Sequence, residues 1–247
     1  MKISLRPYWL VLLLLVSCKS FYVPVKAEYE GYQVSPALGR DSAMYHLTNP
    51  YRDSVDKSMN QVIGIAAISL DKKKPESTLG NFMADAMLFS SREKFKLPVD
   101  AAFINYGGIR INQLPSGKVT IGKIFELMPF DNLLIVQEVK GSILQDFLDL
   151  TAASGGWPLA GLTMQIKDKK AVNVMINGKP LDPNQTYLVA NSDYVINGGD
   201  NVTMLKDLPQ KNIGYLMRDA IFDYINQLKR QGKNISSKVE NRVTNVE

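Results

Sequence analysis

The chain has 247 residues, with 29 Lys and Arg against 24 Asp and Glu, one histidine and one cysteine. A single cysteine excludes an internal disulfide and a cysteine-built zinc site, and a single histidine excludes an imidazole-rich metal centre. The net charge of +5 is mild, and no Lys/Arg stripe marks a surface for a nucleic-acid polymer.

Lys2 and Arg6 precede the apolar run Trp9–Val16, which is too short to span a bilayer. Leu15-Val-Ser-Cys18 has the form of a bacterial lipobox and ends on the one cysteine. Residues 1–17 are expected to be a lipoprotein signal peptide, with an ordinary signal peptide as the alternative. Cleavage and lipidation at Cys18 would tether the chain extracytoplasmically, in the periplasm or at the outer membrane. Losing Lys2 and Arg6 lowers the charge from +5 to +3. Residues 18–60 have Tyr, Pro, Gly and Ser scattered without period, and are expected to form a tether and approach segment. Within it, Pro50–Met59 is predicted as a short helix with Asn49 as cap and Pro50 at its first position.

Residues 61–247 hold the folded domain. Val62–Leu70 is predicted as a strand, and Asp71–Pro75 as a charged turn with at least two of its three lysines in solvent. Thr78–Phe95 is predicted as a helix with Leu79, Phe82, Met83, Ala86 and Phe89 on one face. Glu76 and Asp85 invite an acid–base reading, but a capping or structural role suits them better, because no histidine lies nearby. Val99–Ile104 is a continuous apolar run, as in a buried strand. A helix capped by Thr120 follows, then a strand over Leu133–Val139 and a helix from Gly141 to about Ala153. Leu162–Ile166 and Ala171–Ile176 read as strands, the second ending in an Asn177-Gly178 turn. Tyr187–Ala190 reads as a strand and Ile213–Arg230 as the last helix. Helices and strands alternate irregularly, with several strands at hairpin spacing. The expected class is α+β, with layered mixed sheets and helices.

Two loops stand out. Val99–Ile104 runs into Asn-Tyr-Gly-Gly-Ile-Arg, Asn105–Arg110. Tyr187–Ala190 runs into Asn191–Asp200, where Tyr194 precedes Asn-Gly-Gly-Asp. In each, a buried strand ends in a Gly-Gly pair flanked by directed polar groups, which lets the backbone approach a ligand or turn sharply.

With Glu76–Ala86, Met128–Phe130 and Val139–Ser142, these loops resemble the C-terminal domain of the 5'-nucleotidase family. Five separated motifs occur in order and at similar spacing, over Val62–Val243. The resemblance implies the family's substrate-recognition half. By motif position it makes Phe130 and Tyr194 two rings that sandwich a nucleobase. Asn105 would bond the base, Arg110 the phosphate and Asp200 the ribose hydroxyls, with Gly107 and Gly108 allowing close approach. The family often has an Arg upstream of the Leu-Gly-Asn helix; Lys73 and Lys74 occupy that region here, and Lys73 is taken as a phosphate-side candidate. A Gly-Gly pair that faces the base in the family is Ala160-Gly161 here, which would tighten the pocket.

The family's hydrolysis belongs to an N-terminal domain with two metals. Such a site needs around half a dozen ligands. The only histidine, His46, lies in the approach segment, and no Gly-x-Ser-x-Gly elbow is present. No catalytic or metal-ligating residue is assigned to this chain, no cofactor is expected in it, and divalent metals are expected only in a partner. The expected function is a nucleoside- or nucleoside-monophosphate-binding half of a split 5'-nucleotidase in nucleotide catabolism, beside a separately encoded metallophosphatase. A nucleoside-capturing or scaffold lipoprotein is the alternative, and a self-sufficient enzyme a third reading.

Overall fold

In the computed structural model, residues 26, 28–33, 35, 38–39 and 41–246 are described. The lipobox and Cys18 lie outside them. The chain divides into two compact units, Met1–Leu47 and Thr48–Glu247. In the first, the described residues before Asp41 are mostly exposed and lack regular structure. Among the described residues no helix is long and apolar enough to cross a membrane.

Helix α1 spans Ser42–Met59, with Pro50 inside it rather than at its first position. The start lies earlier than predicted because Asp41 supplies a cap, accepting from Met44 N–H at 2.9 Å. No described residue of α1 is buried.

The predicted strand Val62–Leu70 is two strands, β1 (Val62–Ala66) and β2 (Leu70–Asp71). They separate because they have different partners. β1 pairs with β5 (Gly117–Thr120), while β2 pairs with β4 (Gln113–Leu114). Helix α2 spans Thr78–Phe95 as predicted, capped by the Ser77 side chain, which accepts from Gly80 N–H. Helix α3 (Ile121–Leu127) is capped by Thr120.

The scaffold of the domain is a five-stranded mixed sheet. Its order is β12-β6-β11-β3-β7, with β3 Ala101–Phe103, β6 Leu134–Lys140, β7 Leu159–Ala160, β11 Thr186–Ser192 and β12 Gln210–Lys211. β3 and β11 are parallel, and the other pairings are antiparallel. Period-2 alternation sends its side chains to two cores. Leu134, Val136, Ala102, Ile104 and Ala190 join α2, α3 and α6 (Met217–Arg230) in one. Ile135, Val139, Ala101, Phe103 and Val189 join α4 (Gly141–Ala153) and a second sheet in the other. That sheet has the order β10-β9-β8-β13, with β8 Leu162–Lys167, β9 Lys170–Ile176, β10 Lys179–Pro180 and β13 Val243–Asn245. The class is α+β.

The last helix begins at Met217 instead of Ile213. Tyr215 and Leu216 are taken up by the sheet: Leu134 N–H donates to Tyr215 O, and Leu216 bridges to Leu133. Gly214, at φ +69°, also breaks helical continuity.

Candidate functional site

The sheet topology brings distant loops together. Because β3 and β11 are parallel, their carboxyl ends lie at one end of the sheet. β6 runs antiparallel to β11, with Leu134 opposite Ser192, so the start of β6 lies there too. Three segments therefore meet: Asn105–Arg110 after β3, Phe130–Asn132 before β6, and Asp193–Asn201 after β11. The crevice beyond the carboxyl ends of parallel strands is a common ligand position in open α/β sheets, and the same geometry arises here.

A cavity of about 350 Å³ opens at this point, lined by Asn105, Gly107, Gly108, Arg110, Phe130, Asn132, Tyr194 and Asp200. Seven of the eight candidates from the sequence line it. The eighth, Lys73, is exposed and does not. Its neighbour Lys72 points inward, donating to Ile109 O at 2.7 Å, with its ammonium 4.1 Å from the Tyr106 ring centre. Lys74 approaches the same ring at 4.7 Å and donates to Ser154 O. Lys73 and Lys74 are exposed, as expected of at least two of the three lysines, although Lys74 still makes these contacts. Burial first, then the charges of Arg110 and Lys74, lower the pKa of Lys72. Ala160 is buried in β7, paired with Ala102, and does not line the cavity, so it cannot tighten it as expected.

Asn105, Tyr194 and Asp200 are tied to one another and to the sheet. Asn105 begins the 3₁₀ turn Tyr106–Gly108, and its Nδ2 donates to Asp200 Oδ2 at 2.7 Å across 95 residues of sequence. Gly108 makes room for it, since a Cβ there would meet Asn105 Oδ1 at 2.6 Å. Tyr194 sits on the short helix α5 (Asp193–Ile196), capped by Ser192, and Asp193 Oδ1 ties that helix to Leu133 N–H. Tyr194 Oη donates to Asp200 Oδ1 at 3.2 Å. Asp200 thus links both loops. Phe130 and Tyr194 remain 39% and 48% exposed, unusual for rings that could pack inside. The Arg110 guanidinium lies 5.5 Å from the Phe130 ring centre. Asn132 was missed from sequence; its signal was a polar residue two positions after Phe130, just before a strand.

The cavity thus presents two partly exposed rings, two side-chain amides, a carboxylate and a guanidinium to a ligand. A two-metal centre does not fit these residues. Asp85 is held by both terminal nitrogens of Arg242, at 2.7 and 3.0 Å. Glu76 accepts from Asn81 Nδ2 and from the backbone N–H groups of Glu240 and Arg242. Both carboxylates of the Glu76–Ala86 motif thus secure the C-terminal segment, the structural role the sequence favoured.

Comparison with known proteins bears on the family and the fold. The family model "5'-nucleotidase, C-terminal domain" matches residues 55–207. The trifunctional nucleotide phosphoesterase YfkN of Bacillus subtilis is 28% identical over 218 residues, covering 79% of this chain and 14% of that protein. A 5'-nucleotidase of Vibrio cholerae is 25% identical over 214 residues, covering 82% of this chain and 37% of its own length. The crystal structure of a 5'-nucleotidase precursor from Thermus thermophilus superposes with a TM-score of 0.72 at 28% identity. It covers 84% of this chain and 44% of that one. The chain therefore spans less than half the length of each of these relatives. With its motifs, its α+β architecture and more than half its length matched, the chain belongs to the 5'-nucleotidase family through that family's C-terminal domain.

Proposed function

We propose that this domain is the nucleoside- or nucleotide-recognition half of a split 5'-nucleotidase, working with a metal-dependent phosphatase on a separate chain. The observation that carries the reading is the cavity. Two half-exposed rings from loops 64 residues apart, Phe130 and Tyr194, line one opening with Asn105, Arg110 and Asp200. The base stacks between the rings, contributing ~1–3 kcal/mol per ring. The Asp200 carboxylate accepts from ribose hydroxyls, and Arg110 with Lys72 faces the phosphate. The hydrolytic metals belong to the phosphatase, because one histidine and carboxylates already committed to Arg242 and backbone groups cannot supply them. Lipidation at Cys18 tethers the domain to the extracytoplasmic face of a membrane.

Calorimetric titration of the purified protein with adenosine and AMP tests the recognition role, and heat-free injections into a folded sample refute it. Phosphate release from AMP tests the division of labour. It is expected only when a metallophosphatase chain is added. Release by this protein alone, abolished by a chelator, overturns the split arrangement.

A further inference from the structure

Phe130 stands in a segment with almost no support of its own. Helix α3 ends at Leu127, and the next tie to the fold is Asn132 O, which accepts from Met217 N–H at 2.9 Å. Between Pro129 and Asp131, among the described residues, every main-chain hydrogen bond comes from one side chain, Arg218. Its Nη1 donates to Phe130 O at 3.1 Å and, just upstream, to Met128 O at 3.3 Å. Its Nη2 donates to Asp131 Oδ1 at 2.5 Å. The guanidinium lies 4.1 Å from the Phe125 ring centre, on the helix that leads into the segment.

Helix stability does not explain this arginine. It is the second residue of α6, where the helix dipole disfavours a cation. Arg218 is also only 7% exposed, although burying a guanidinium is costly without bonded partners. These bonds all leave its own helix and converge on three acceptors around Phe130. A planar fork matches that spread of acceptors; a lysine ammonium does not. The position lies beyond residue 207, where the family model's match ends.

We infer that Arg218 is the positioning residue that fixes the Phe130 ring at the mouth of the nucleoside cavity, so that the clamp is formed before ligand arrives. This rests on the base-clamp reading for its consequence, but not for its local effect. Pre-forming the ring spares the ligand the ordering cost of a loose loop.

The test separates the two. 4-Fluorophenylalanine is placed at position 130 and followed by ¹⁹F NMR, with adenosine titrated by calorimetry. The expected results are one narrow resonance in the parent protein and a broadened or split one in Arg218→Lys, with adenosine affinity down about tenfold, within one ring's stacking contribution. Asp131→Asn, at a side chain 78% exposed, is expected to fold normally and show a smaller change in the same direction. A charge-only or packing role would be rescued by lysine; an unchanged resonance in Arg218→Lys overturns the inference. If adenosine fails to bind even the parent protein, the clamp reading falls, while the resonance still decides whether Arg218 holds the segment.

Discussion

Gly199 offers the sharpest test of the aromatic clamp. A methyl group there would lie 2.5 Å from Tyr194 Cε1, 2.6 Å from Cζ and 2.6 Å from the Tyr194 carbonyl oxygen. Ordinary contact starts at 3.4 Å, so about 0.9 Å of clearance is missing. The ring can swing aside, but the carbonyl is backbone of capped helix α5, so residue 199 must also shift away from it, at some cost in stability. Gly199→Ala must then swing Tyr194 outward and stretch its 3.2 Å bond to Asp200. Losing the ring's share of stacking, ~1–3 kcal/mol, weakens adenosine binding by roughly five- to a hundredfold. Gly198→Ala is the control. It sits at φ +102° with nothing within 4 Å of its Cβ, so it is expected to cost ~1–2 kcal/mol of stability while leaving affinity unchanged. Titration calorimetry and thermal melts on both variants read the two effects separately. Parent-like affinity in Gly199→Ala, or an equal affinity loss in Gly198→Ala, would refute the reasoning.

Lys72→Met is expected to weaken AMP more than adenosine, measured by competition titration, because it removes a cation beside Arg110 and leaves the base clamp intact. The same preference for AMP has a pH sign. An ammonium attracts phosphate below its pKa, and burial, then Arg110 and Lys74, lower that of Lys72. The preference should be present at neutral pH and fade on raising pH, at a value below the ordinary lysine 10.5. Arg242→Ala leaves Asp85 in a partly buried site without its two 2.7 and 3.0 Å bonds. It is expected to cost ~3 kcal/mol in chemical denaturation, with partial recovery in Arg242→Ala/Asp85→Asn. Full stability of the single variant would show that Arg242 does not pin the C-terminal segment.

Much of this was legible in the residues themselves. Thr78–Phe95 announces a helix through its apolar spacing, and the structure starts and stops it there. The continuous apolar run ahead of Asn105 announces a strand buried on both faces, and Ala101–Phe103 are fully buried. Short edge pieces were not legible. Val62–Leu70 has one apolar pattern but two partners, and only tertiary pairing splits it. Tyr215 and Leu216 look helical, yet the start of β6 claims them for backbone bonds.

The site divides in the same way. The order of residues alone was enough to mark the two Gly-Gly loops, because turn chemistry is local, whereas Phe130 and Tyr194 were singled out only through the resemblance of their flanking motifs to the 5'-nucleotidase family. Their convergence was not local. It depends on β3 and β11 lying side by side in parallel, which sets Asn105 and Asp200 2.7 Å apart although 95 residues separate them. Which lysine turns inward, and which arginine supports Phe130, were likewise settled only by folding. Lys72, Lys73 and Lys74 are equivalent in a string but differ once Ile109, Ser154 and the Tyr106 ring are beside them. Arg218 is one more charge on an amphipathic helix until packing buries it against carbonyls it never meets in sequence.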